Sequence, residues 1–180
     1  MSRLILLSLL VLISGLLGLA QAPTTKDAKI QNAMSAAPPG IAKDATIMDW
    51  AAAPGGAMVE LRKGTNGWTC LPDMADTPAN DPMCMDKIAM QWAEAWMAKK
   101  DPKLPGMGIV YMLQGGSTAD NDNPFAAKPK PGKDWLREPP HMMILGVKVD
   151  PGMYSSQANT TRPWVMFKRT PYEHLMVPVK

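Results

Sequence analysis

Histidine and cysteine are almost missing from this chain, with two of each in 180 residues. Two histidines cannot supply a three-histidine zinc centre, and two cysteines without CxxC spacing or a nearby histidine cannot build a zinc finger. An excess of charge of one sign is also lacking. Lysine and arginine total 19 against 16 acids, and prolines interrupt the segment that carries Lys128, Lys130 and Lys133. Neutralising phosphates needs a continuous basic face, so no nucleic-acid partner is expected. Only one long apolar run is present, Leu4 to Leu17. It falls short of the roughly 20 residues that cross a bilayer as a helix.

That run, preceded by the positive charge of Arg3, reads as a signal peptide over residues 1–22, with small residues placed for cleavage after Ala20 or after Ala22. The expected location is therefore periplasmic or secreted, with no stable membrane insertion once the leader is cut. No cysteine follows the run, which argues against a lipoprotein anchor. In an oxidising compartment Cys70 and Cys84 are expected to pair. Closing a loop of about 15 residues contributes roughly 3 kcal/mol in the chain-entropy picture.

Residues 23–46 are rich in Ala, Pro, Thr and Lys without periodicity and read as a flexible N-terminal segment. The folded domain is expected over 47–180. Ala57 to Arg62 and Trp68 to Leu71 read as a hairpin about the turn Gly64-Thr65-Asn66-Gly67. Asp81-Pro82 predicts a helix start, after which Met85, Ile88, Ala89, Trp92 and Trp96 share one face as far as Lys100. Strands are expected over 108–113, 141–149, 163–167 and 174–179. One convincing helix among several strands predicts an α+β single domain, an antiparallel or mixed sheet with one main helix packed on it and one disulfide. The stretch between Gln114 and Pro140 is too long for a simple connection, and such loops are usually functional or disordered.

The strings Gly64-Thr65-Asn66-Gly67-Trp68-Thr69-Cys70, Asp81-Pro82-Met83-Cys84 and Thr170-Pro171-Tyr172-Glu173-His174-Leu175-Met176 resemble an uncharacterised family of secreted bacterial proteins. The resemblance runs from about residue 55 to the end. It implies a bacterial, exported, single-domain protein and carries over no catalytic residue.

Methionine is the compositional excess, at 16 residues. His141, Met142 and Met143 are consecutive, and His174 stands two residues before Met176. Thioethers with imidazole are the donor set that favours copper(I), so these five residues are candidate metal ligands, provided that their strands are neighbours and the histidines converge at one sheet edge. The competing account is an irregular methionine-filled core with both histidines facing water. Ser117 to Asn123 alternates oxygen-bearing side chains as calcium loops do, but Pro124 and a missing glycine depart from the EF-hand pattern. Ser117 with His141 or His174 and an acid among Asp120, Asp122 and Glu173 is the raw material of a hydrolase, without a nucleophile-elbow motif. Trp135 in the polar loop is a candidate ligand contact together with Ser117, Asp120 and Asp122. The leading expectation is a non-enzymatic binding or structural protein of the envelope without a cofactor, its partner a small molecule or an envelope protein. The alternatives are a periplasmic copper-binding protein and a small hydrolase.

Overall fold

Alternation of buried and half-buried residues is clearest in Gly108–Met112 and His141–Leu145, which sit side by side near the middle of the molecule. A computed structural model describes residues 22–53, 56–150 and 152–179. Apart from Ala22, the expected leader lies outside the described residues. Along the chain run α1 (Lys26–Met34), α2 (Pro39–Ala42), β1 (Thr46–Asp49), β2 (Val59–Arg62), β3 (Thr69–Leu71), β4 (Met83–Met85) and α3 (Lys87–Met97). They are followed by β5 (Gly108–Met112), β6 (Gly116–Thr118), β7 (Leu136–Glu138), β8 (His141–Leu145), β9 (Trp164–Met166) and β10 (His174–Pro178). Eight strands form one sheet in the order β2-β1-β3-β4-β5-β8-β10-β9, and β6 with β7 forms a separate ribbon. The β1–β3 pair is parallel and the other pairs are antiparallel, so the sheet is mixed.

The expected hairpin does not form. β1 inserts between β2 and β3, pairing with both, because the Gly64 turn wraps closely around the start of β1. A Cβ on Gly64 would lie 2.1 Å from the Thr46 nitrogen. The helix start also differs from expectation. Asp81 is no cap, and Met83–Met85 is extended because its backbone is taken up by β3 and β5. The cap is Asp86, whose Oδ1 accepts from the Ile88 and Ala89 amides at 2.9 and 2.8 Å. Its Oδ2 accepts from the Ile109 amide at 2.8 Å, which fastens the helix start to β5.

The segment expected to be flexible is instead structured. Thr25 caps α1, and Ala33, Ala36, Ala37, Ala42 and Ala45 are buried with Ile47, Cys70 and Cys84. Small side chains let the helix and its following turn lie close to the sheet, a pattern without amphipathic signal in the sequence. Cys70 and Cys84 are opposite each other in the β3–β4 register and form a disulfide beneath this layer. Helices therefore cover both faces, α1 and α2 one side and α3 the other, where the main core of Leu71, Met85, Trp92, Val110, Leu145 and Trp164 lies. That main core positions the candidate site.

Candidate functional site

Strand alternation and register fix which side chains share the α3 face. Met143 of β8 lies opposite Met176 of β10. His141 lies opposite Met112 of β5, and His174 opposite Met166 of β9. Residues two apart on a strand face the same way. Each strand therefore carries the same His-x-Met unit, and the antiparallel pairing relates the two units by a pseudo-two-fold axis between Met143 and Met176. Directly opposed Cβ atoms in a sheet are about 4.5–5.5 Å apart, so six soft or imidazole side chains form one continuous patch. All six are at least nine-tenths buried.

Three details of the sequence reading are corrected here. Because the strands run antiparallel, the histidines stand at opposite ends of the patch rather than at one sheet edge. Met142 pairs with Val177 on the other face and drops out of the donor set. The histidines also do not face water, being 0% and 1% exposed.

The two imidazoles are held in the same way. His141 Nδ1 lies 2.7 Å from the Pro139 carbonyl and His174 Nδ1 lies 2.8 Å from the Tyr172 carbonyl, in each case two residues upstream. A carbonyl only accepts, so each Nδ1 carries the proton and each Nε2 presents a lone pair. Neither Nε2 has a hydrogen-bond partner. Burial pushes both rings down to about 4, and they are neutral at pH 7. Around His174 the rings of Trp92 and Phe167 stand edge-on at 5.5 Å, and the indole Nε1 of Trp92 is another buried polar atom without a partner.

Beside His141 the β6–β7 ribbon lays Glu138 over the same face. Its Oε2 is 3.9 Å from His141 Nε2, and its Oε1 has no partner. Burial, with the nearby Asp81 charge adding to it, pushes Glu138 up to about 7. Asp81 is likewise pushed up to about 7 by burial, against the Thr77 hydroxyl that donates to it at 2.6 Å. Gly116 makes this approach possible, since a Cβ there would lie 2.9 Å from Glu138 Oε2 and 3.2 Å from Met112 Cε.

The loop residues behave differently. Asp120 accepts from the Asp122 amide at 2.8 Å and pairs with Lys130 at 2.7 Å, while Asn121 holds the Ser156 carbonyl and the Trp164 indole. The side-chain oxygens of Asp120, Asn121 and Asn123 are thus engaged in turns, an ion pair and anchors, whereas Ser117 Oγ has no partner. Trp135 is half-buried, and the loop end packs on the domain, where Trp96 donates to the Pro124 carbonyl at 2.8 Å. Ser117 is buried beside Arg137 in the ribbon register, and its Oγ bonds to no base. No nucleophile–base pair is assembled from Ser117, His141 and His174.

Among the described residues no three His, Cys, Asp or Glu side chains converge as a metal-binding group. Any metal chemistry here falls to the thioethers and the two bare imidazole nitrogens. No family model, curated protein or solved structure matches the chain. The His-x-Met units were legible in the sequence. Met112, Met166 and Glu138 were not, because only strand register and the folding-back of the β6–β7 ribbon bring them in.

Proposed function

We propose that this chain is a non-enzymatic binding protein of the bacterial envelope and that its ligand is copper(I), held in the patch between α3 and the β8–β10 pair. The observation that carries the reading is the paired His-x-Met units, with Met143 and Met176 in register and a neutral, Nδ1-tethered imidazole at each end. A backbone carbonyl on the far ring nitrogen is the usual outer-shell partner of a metal-bound histidine. The donors are soft and uncharged, which suits a monovalent soft ion over zinc or calcium. Met112 and Met166 extend the donor set at either end, so each histidine has thioethers on neighbouring strands. Export, which the leader and the resemblance imply, would bring the chain to the compartment where soft metal ions are handled.

The test is anaerobic titration of the mature, oxidised protein with copper(I) against a chromophoric chelator. Stoichiometric capture is expected, with a rise in Tm because an ion that binds only the folded state stabilises it. Met143→Leu and Met176→Leu keep the volume of the core and remove the sulfur. Each is expected to lower copper(I) affinity about tenfold, or 1.4 kcal/mol. Failure of the wild type to compete with the chelator, or undiminished affinity in the folded double variant, overturns the assignment.

A further inference from the structure

The face of the sheet opposite α3 is covered unevenly. α1 and α2 lie over the half that carries the disulfide. On the other half Val149, Val165 and Leu175 form a small apolar cluster, with Ile144 and Val177 half-buried beside it. A cleft of about 310 Å³ opens against Val149 and Val165, and its remaining walls are Lys148, Lys168, Arg169 and Glu173. Among the described residues none of these three cations makes an ion pair. The one carboxylate is engaged locally, as Glu173 Oε2 accepts from the Arg169 amide at 2.8 Å.

The rim is also conformationally unusual. Among the described non-glycine residues three have positive φ, and two of them, Phe167 at 54° and Arg169 at 62°, lie in the turn from β9 to β10 that carries Lys168. A bulky L residue rarely adopts this region. Hydrogen bonds hold the turn there. The Phe167 amide donates to the Asn121 carbonyl at 2.8 Å, and the Thr170 amide and hydroxyl donate to the Phe167 carbonyl at 3.1 and 2.7 Å. Strain that the surroundings over-determine in this way gathers at binding sites.

We propose that this cleft binds a small amphiphilic anion, a carboxylate with a short apolar body. Its headgroup lies among Lys148, Lys168 and Arg169, and its hydrocarbon lies on Val149 and Val165. An uncharged molecule of the same shape would leave the cations without a counter-charge, and a bare inorganic anion would leave the valines wet. The volume is at the lower end of the roughly 300–1,000 Å³ common to small-molecule sites, which favours a short chain over a long lipid tail. The site is on the face opposite the histidine–methionine patch and is independent of the copper assignment.

Calorimetric titration of the mature protein with octanoate, with octanol and inorganic phosphate as separate ligands, tests this. Octanoate is expected to bind saturably and at least about tenfold more tightly than either control. Arg169→Gly removes a charge while glycine accepts φ near 62° without strain, so the variant keeps its fold. Combined with Lys168→Ala it is expected to weaken octanoate by at least about tenfold, with Tm unchanged or raised. Equal binding of octanol or of phosphate, or an unaffected double variant, overturns the proposal. So does a concentration-dependent dimer in light scattering that Val147→Glu disperses, since the face then belongs to a second copy.

Discussion

At the scale of the residue, four buried titratable groups on or beside one face of the sheet pull stability in opposite directions. His141 and His174 titrate near 4 when folded and near 6.5 when unfolded, so between those values the unfolded chain binds more protons and stability rises with pH. Asp81 and Glu138 titrate near 7 when folded and near 4 when unfolded, so the folded chain binds more protons and stability falls as pH rises. The slopes oppose each other, and the Tm of the metal-free protein is expected to be nearly flat between about pH 5 and 6. Glu138→Gln removes one of the acids. Its Tm is expected to climb with pH through that window more steeply than that of the wild type, as thermal melts in a buffer series will read, and identical slopes for the two proteins would mean that Glu138 is ionised in the folded state. The sequence disclosed the histidines as candidates but gave no sign of Glu138, which stood in a loop with charged and polar neighbours. Its burial comes from a ribbon of three-residue strands, too short for alternation to register.

At the scale of the element, local chemistry was legible and pairing was not. The strands around Gly108, His141, Trp164 and His174 could be read from apolar runs bounded by Gly, Pro and Asn. The helix could be read too, from the spacing of Ala89, Trp92 and Trp96, but its start was misplaced by five residues, from Pro82 to Lys87. An Asp-Pro pair is a strong local cap signal, and the β3–β4–β5 ladder overrode it. Asp86 bonds three amides, two of its own helix and one of β5. Asp86→Ala is therefore expected to cost about 2 kcal/mol, more than an ordinary cap, which denaturant unfolding will show as a lowered midpoint with unchanged slope. Close approach of the same helix depends on Gly108, where a Cβ would lie 2.8 Å from the Ala89 nitrogen. Since that neighbour is backbone, Gly108→Ala must displace α3, at a cost of about 1–3 kcal/mol in the same assay. A loss below a few tenths of a kcal/mol would show that the helix is not held against β5.

At the scale of the whole molecule, the largest departure from expectation is the N-terminal layer. Alanine-rich segments carry no hydrophobic stripe, so residues 23–46 looked unstructured, yet their buried alanines close the core over the disulfide. A chain beginning at Ile47 is expected to lose cooperative unfolding or fall by at least about 5 kcal/mol, as an uncovered apolar face would require, and an unchanged melt would return the segment to the status of a tether. Reducing Cys70–Cys84 is expected to cost about 3 kcal/mol and lower Tm by roughly 6–12 °C. The order of the strands has a further consequence, for the making of the protein. β1 has its partner β3 to wait for, and β10, which follows β9 in the chain, is the strip that joins β9 to the rest of the sheet. A nascent chain that stops short of His174 leaves β8 with a bare edge and β9 with no strand beside it. The β8–β10–β9 half of the sheet is thus completed only once His174–Pro178 has been made, while the β2-β1-β3-β4-β5-β8 part can pair before it.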